Sequence, residues 1–192
     1  MVKTFFSFLF TLIVLISIYL SIFELLLYSF HSPFGVAIKN PIIHEQTWTY
    51  LLHQQYISLI EIDNYTIYEK RHLLDVKKLL EQTYNLWLFF IILSSIILIK
   101  FFHQIIQNLI FIGIIFNLLL IVLSLNFIKI FDLLHSLLFT NNSWVFSSDS
   151  LLIESFPLLY FQHFFALFLI ITFLIFFLVQ KILLKYSTVF QG

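Results

Sequence analysis

The chain has the length of one domain, 192 residues, yet 61% of it is hydrophobic and only 10% charged. Ordinary globular proteins stand at roughly 45–50% and 25%, so most of this apolar surface must face lipid. Ten basic and ten acidic residues cancel, leaving no basic field for nucleic acid. The absence of cysteine removes disulfides, Cys-ligated metals, thiol redox chemistry and a cysteine nucleophile, and three glycines are too few for a phosphate-cradling loop.

From the N-terminus onward, the apolar stretches predict an all-α membrane protein with four transmembrane helices, at about residues 5–27, 85–102, 105–130 and 158–184. About 20 apolar residues cross the hydrocarbon core. The first and third stretches reach that length unaided; the second and fourth borrow Tyr84–Asn85 and Leu158–Phe161. Lys3 before the first stretch invites a signal-peptide reading, but the apolar run is too long and no small-x-small cleavage site follows, so the segment is read as retained. A tight turn is expected at Lys100–Gln104. With the N-terminus inside, the short inner segments hold Lys3, Lys100, Lys181 and Lys185 and no acid, which sets an N-in, C-in topology. The outer side then carries residues 31–84 and 131–160. Loops of that length are often functional, and these are rich in Tyr, Phe and Trp. They are expected to fold together as an extracytoplasmic cap (31–84 plus 131–157) on a single membrane domain, 1–192.

The segment Tyr68–Tyr84 has helical periodicity. Val76, Leu79, Leu80, Thr83 and Trp87 share one face, with Lys70, Arg71, Lys77, Lys78 and Glu81 on the solvated side. Glu69 and His72 break the pattern: they lie three residues apart within the apolar stripe, with Asp75 at its edge one turn beyond. Residues so spaced are neighbours on a helix, so two readings stand. Glu69 starts the helix at its positive end and His72 is a satisfied interfacial histidine; or a carboxylate holds an imidazole against a greasy surface, as a general base is oriented and tuned. In the second outer segment Asp132 precedes His135 by three, and His135 falls at about the same depth as His72. His103 lies on the inner turn beside Lys100, and His31, His44 and His53 lie in the cap with no spaced partner. Asn108, Asn117 and Asn126 read as interhelical hydrogen-bonding groups. No His-Glu-x-x-His and no Gly-x-Ser-x-Gly is present, and the acids and histidines show no diagnostic metal spacing, so neither a metal nor a cofactor is expected.

At these segments the chain resembles the lipoprotein intramolecular transacylases (Lit) of low-GC Gram-positive bacteria. The first motif reads Glu69-x-x-His72-Leu-x-Asp75-Val76-Lys77. The second reads Phe131…His135-x-x-Leu138-Phe139-x-Asn141-x-x-Trp144 and continues to Leu152-Ile153-x-x-Phe156-Pro157. The resemblance implies a multi-pass protein of the bacterial cytoplasmic membrane with its active site where the cap meets the outer membrane surface. It implies a substrate, too: a diacylglyceryl-modified lipoprotein with a free N-terminal cysteine amine, in contact with membrane lipid. The sn-2 acyl chain moves onto that amine to give the lyso form. His72 and His135 match the family's catalytic pair. Glu69, Asp75 and Asp132 are then candidates to orient the imidazoles, and Phe139, Asn141, Trp144, Phe156 and Pro157 to form the substrate pocket.

This chemistry suits the composition. Donor ester and acceptor amine belong to one molecule, so no protein nucleophile is required, and orienting them is worth roughly 7–11 kcal/mol. The rival reading is a non-catalytic transporter or assembly factor whose cap binds a partner. It explains the composition equally well and makes the histidines interfacial packing. Convergence of His72 and His135 in one aromatic pocket is the observation that separates the two readings.

Overall fold

The computed structural model describes residues 2–30, 36–52, 64–139 and 143–189. Their order is α1 (Val2–Ser29), α2 (Pro41–Leu52), α3 (Ile67–Ser124), α4 (Phe127–Leu138), α5 (Leu151–Ser155) and α6 (Leu158–Val189), with no strand among the described residues. Three of these helices, α1, α3 and α6, are long and apolar enough to cross a membrane. Their outer surfaces are apolar: Ile99 is 84% exposed and Phe111 66%. Such surfaces are untenable in water at this extent and ordinary against lipid.

The helix starts are written in the sequence. At α2, Asn40 accepts the first helical hydrogen bond, from His44 N at 3.0 Å, and Pro41 occupies the first helical position, where its missing N–H costs nothing. At α3, Thr66 and Glu69 form a capping box: the Glu69 carboxylate accepts from Thr66 N at 2.8 Å, and Thr66 Oγ1 accepts from Glu69 N at 3.3 Å. Ser150 caps α5 by accepting from Ile153 N at 3.2 Å.

The chain divides into two compact units. The first is Met1–Leu25, Asn85–Leu125 and Ala166–Gly192. Its core joins Val14 and Leu15 to Ile97, Ile105, Ile106, Leu109, Ile110 and Phe176. Within it α3 reverses direction while staying helical residue by residue. Going down α1 from Ser21 to Ser7, the partners on α3 climb: Trp87 Nε1 donates to Ser21 Oγ at 3.0 Å, Ser94 Oγ to Ser17 Oγ at 2.9 Å, the Phe10 and Phe101 rings lie 4.9 Å apart, and Ser7 Oγ donates to Gln104 O at 3.2 Å. Phe116 then packs on Tyr19, with ring centroids 5.3 Å apart. In one straight helix Ser94 and Phe116 would stand roughly 33 Å apart, whereas their partners Ser17 and Tyr19 are only two residues apart in α1. The chain therefore folds back near Gln104, where the turn was expected, but without the break in helical backbone expected there.

Two details hold the returning arm of α3 against α6. A Cβ on Gly113 would meet the Phe176 ring at 2.6 Å, so only glycine admits this approach. Asn117, fully buried, donates to Gly113 O at 3.0 Å and accepts from Thr172 Oγ1 at 2.6 Å. That is the interhelical role read for it. Asn108 is exposed, and Asn126 sits at the start of α4 with no side-chain cap bond, so neither repeats it. The third apolar stretch also ends earlier than expected. The helix stops at Ser124, a turn at Leu125–Asn126 follows, and residues up to 130 belong to a new helix, α4. Hydropathy does not register the change because both sides of the turn are equally apolar.

The second unit is Leu26–Tyr84 and Asn126–Phe165. The region expected to be a loop cap is largely helical here: α2, the first turns of α3, α4 and α5. Lys39 Nζ and Asn40 Nδ2 both donate to the Glu154 carboxylate, at 2.7 and 3.3 Å, tying the start of α2 to α5. Lys77, assigned above to the solvated face, instead lies 4.3 Å from the Tyr50 ring centroid and donates to Tyr50 O at 2.9 Å, closing the end of α2.

Candidate active site

The amphipathic helix α4 presents Phe127, Phe131 and His135 on one face, and Phe139 continues the same four-residue spacing just past its end. The rings run in a column: Phe127–Phe131 at 5.8 Å, Phe131–His135 at 4.0 Å and His135–Phe139 at 5.5 Å. Phe161 and Phe165 back this column at 5.3 and 5.8 Å. His135 Nδ1 lies 2.8 Å from Phe131 O, so Nδ1 carries the hydrogen and donates it. Nε2 is left with its lone pair, the arrangement of a base whose tautomer is fixed by its other nitrogen.

His72 comes to this column from α3. Its ring lies 6.4 Å from that of His135, stacked at 28°, with Phe139 at 4.7 Å and Phe146 at 5.5 Å edge-on. Trp144 closes the other side, 5.2 Å from His135. The two histidines therefore share one aromatic box within one unit. His72 is 7% exposed and its Nδ1 is buried with no hydrogen-bond partner; the Trp144 Nε1 is in the same state. Buried polar atoms are nearly always paired, so two unpaired nitrogens in one box mark it out.

Residues 67–84 carry the charges of α3 that precede its apolar stretch, so His72 is outside the hydrocarbon-crossing part. Its pKa is pushed down to about 4, chiefly by burial and then by His135, with Asp75 pulling the other way. Burial also lowers the His135 pKa, against the Phe131 carbonyl and Asp132, which raise it. In both rings burial favours the neutral form, the form a general base requires.

Other residues singled out in the sequence are placed differently. Glu69 does not hold His72. Its carboxylate accepts from Thr66 N and Thr66 Oγ1, both at 2.8 Å, and from Leu152 N at 3.0 Å, so it is the capping acid of α3 and ties α3 to α5. Asp75 lies 4.0 Å from Lys78 and acts on His72 only through space; Asp132, exposed, acts on His135 in the same way. Phe156 leaves the box for a second cluster. There it packs on His44 at 4.6 Å and Trp48 at 5.8 Å, joined by Tyr160 at 6.0 Å. Pro157 directly precedes α6, starting that helix. Asn141 lies outside the described residues. Phe146 was not anticipated, and Phe131 entered only as a motif letter. The spacing of Phe127, Phe131, His135 and Phe139 was the signal for the latter.

Beside the box opens a cleft of about 510 Å³, lined among others by Asn64, Thr66, Tyr68, Ser143, Phe146 and Ser147. Phe146 forms part of both. No group of three or more His, Asp or Glu side chains among the described residues is placed to hold a metal ion.

Comparison with known families matches the lipoprotein intramolecular transacylase Lit model over residues 2–161. The chain belongs to the Lit family. Its fold is that of the membrane-integral Lit from Bacillus cereus, with a TM-score of 0.71 at 24% identity, covering 97% of this chain and 99% of that one. No curated protein matches the chain. Membership of Lit makes this a membrane protein of a family that transfers acyl groups on lipoproteins.

Proposed function

We propose that this protein moves the sn-2 acyl chain of a diacylglyceryl-cysteine onto the free α-amine of the same cysteine, leaving an N-acyl, S-monoacylglyceryl lipoprotein, with His72 and His135 as its acid–base groups. The observation that carries the reading is the pair itself: two neutral imidazoles 6.4 Å apart in a box of Phe131, Phe139, Trp144 and Phe146.

In this reading the α-ammonium, with a reference pKa of about 7.7–8.0, sheds one proton to bulk, and its lone pair attacks the ester carbonyl carbon. His135 Nε2, free because Nδ1–H is held by Phe131 O, takes the second proton as the N–C bond forms. The imidazolium returns that proton to the sn-2 glyceryl oxygen as the C–O bond breaks, and the N–H of neutral His72 steadies the departing oxygen. Proton transfers of this kind contribute about 10²–10⁴-fold. The aromatic walls keep out water, the competing nucleophile that would hydrolyse the ester. Phe139 and Trp144 serve as walls. Asp75 and Asp132 tune the rings through space.

We further propose four membrane crossings, N-in and C-in, with the histidine pair at the outer surface of the cell membrane, where a lipoprotein's acyl chains remain in lipid. The reversal of α3 near Gln104 supports two crossings from that one helix, and the lysines near Lys100 and the chain ends support the orientation.

The experiment is lipid analysis by mass spectrometry of the N-terminal peptide of a model lipoprotein made with wild type, His72→Ala and His135→Ala. Wild type is expected to yield the lyso form and each variant the unconverted diacyl form. Full lyso product from either variant, at normal protein level, overturns the assignment.

A further inference from the structure

The proposed transfer builds negative charge at two oxygens, and the histidines account for one of them. The glyceryl oxygen receives its proton from His135. The carbonyl oxygen, which takes up the π-electron pair when nitrogen attacks, needs a hydrogen-bond donor of its own. The chain has no cysteine and only three glycines, so a thiol and a glycine-rich amide turn are unavailable. The Glu69 carboxylate is occupied by three N–H and O–H donors and is in any case an acceptor.

Three tryptophans supply indole N–H groups. Trp87 donates to Ser21 Oγ at 3.0 Å, and Trp48 lies in the His44 cluster, its ring 6.2 Å from that of Tyr160 and away from the histidine pair. Trp144 alone of the three stands beside the histidine pair: its ring lies 5.2 Å from that of His135, inclined at 47°, and its buried Nε1 has no partner. An indole nitrogen can only donate, so this hydrogen waits for an acceptor brought by a ligand. The position is next to the imidazole whose Nε2 is turned free.

We propose that the Trp144 indole N–H is the oxyanion donor of the acyl transfer, a proposal that rests on the histidine-catalysed reading above. Nitrogen attack forms the N–C bond and places the former π pair on the carbonyl oxygen, which accepts from Nε1–H. Collapse restores the C=O bond, breaks the C–O bond to the glyceryl oxygen and releases that acceptor. The hydrogen bond strengthens only while the intermediate lasts, so it acts on turnover and not on substrate affinity.

The test uses the full-length protein in lipid and a synthetic diacylglyceryl-cysteinyl peptide. Trp144→Phe keeps an aromatic wall and removes the donor. Replacement of Trp144 by β-(3-benzothienyl)alanine keeps the bicyclic shape with sulfur in place of N–H, and guards against a packing defect in the first variant. Each is expected to lower kcat by about 10²- to 10³-fold with KM within about twofold of wild type. A phosphonate mimic of the tetrahedral intermediate should lose affinity by the same factor, while the lyso product should not. A benzothienyl variant with wild-type kcat and wild-type phosphonate affinity overturns the proposal. If that variant is fully active while His135→Ala is dead, only the oxyanion role falls. If wild type itself gives no lyso product, the reading beneath it falls as well.

Discussion

His44 and His72 lie in the same unit and in similar surroundings, yet their Nδ1 atoms end in opposite states. His44 is 3% exposed among Trp48, Phe156 and Tyr160, and its Nδ1 meets Ser155 O at 2.7 Å. That bond links α2 to α5 and pairs the buried imidazole. The second box is equally aromatic, with Phe131, Phe139, Trp144 and Phe146, but it leaves His72 Nδ1 and Trp144 Nε1 unpaired, and the Phe131 carbonyl holds His135 Nδ1 so that Nε2 is the nitrogen able to accept. A buried histidine with its hydrogen bond made contributes to stability; a buried histidine kept waiting costs stability and is retained for what it does. Aromatic enclosure alone does not distinguish the two. The imidazole does: His44 Nδ1 has a backbone acceptor and His72 Nδ1 has none.

The contrast can be broken at each side. The largest effect is expected from His135→Ala or His72→Ala, with a loss of about 10²–10⁴-fold in turnover and little change in thermal unfolding. Next comes Glu69→Ala. It leaves Thr66 N, Thr66 Oγ1 and the buried Leu152 N without their acceptor and should destabilise the fold by about 3 kcal/mol; equal unfolding temperatures in detergent would refute the capping role. His44→Ala should cost about 2 kcal/mol through the lost bond and the cavity, while turnover per folded molecule stays near wild type at permissive temperature.

Acidity sharpens the same comparison. His72 is held neutral down to about pH 4 in the folded protein but protonates near 6.5 once unfolded. The unfolded chain therefore binds more protons between those values. Stability is full above pH 6.5, falls as pH drops through that window, and the contribution is lost below about 4. His72→Phe should flatten this slope, measured as unfolding temperature against pH; an unchanged slope would remove His72 as its source. The acid limb of kcat/KM should follow the substrate amine near 7.7–8.0 and move with it when a peptide of lower amine pKa is used. A limb fixed near 6.5 would contradict neutral histidines. The smallest effect is expected at Asp132→Asn, less than about threefold on turnover, because an exposed charge acts weakly through solvent.

Much of this was legible in the residues. Hydropathy located the long helices, and Lys100 through Gln104 marked the reversal. The capping pattern Thr66-x-x-Glu69 was also present, although Glu69 was assigned to an imidazole as well as to the helix start. The acids were over-read for a common reason. A carboxylate three residues from a histidine is visible in a sequence, whereas the actual partners, Phe131 O and Ser155 O, are backbone carbonyls that every residue possesses. His44 has no carboxylate at helical spacing; beyond Trp48 one turn on, its ring contacts come from Phe156 and Tyr160, more than a hundred residues away. Motif order puts Phe156 with His72 and His135, but the fold sends it to His44 instead.

The central claim is that the open box performs chemistry and the closed one holds the fold. The most direct measurement is the mass of the N-terminal lipopeptide after reaction with equal folded amounts of wild type, His135→Ala and His44→Ala. The account predicts lyso product from wild type and His44→Ala and unconverted diacyl peptide from His135→Ala. Full conversion by His135→Ala, or none by folded His44→Ala, would contradict it.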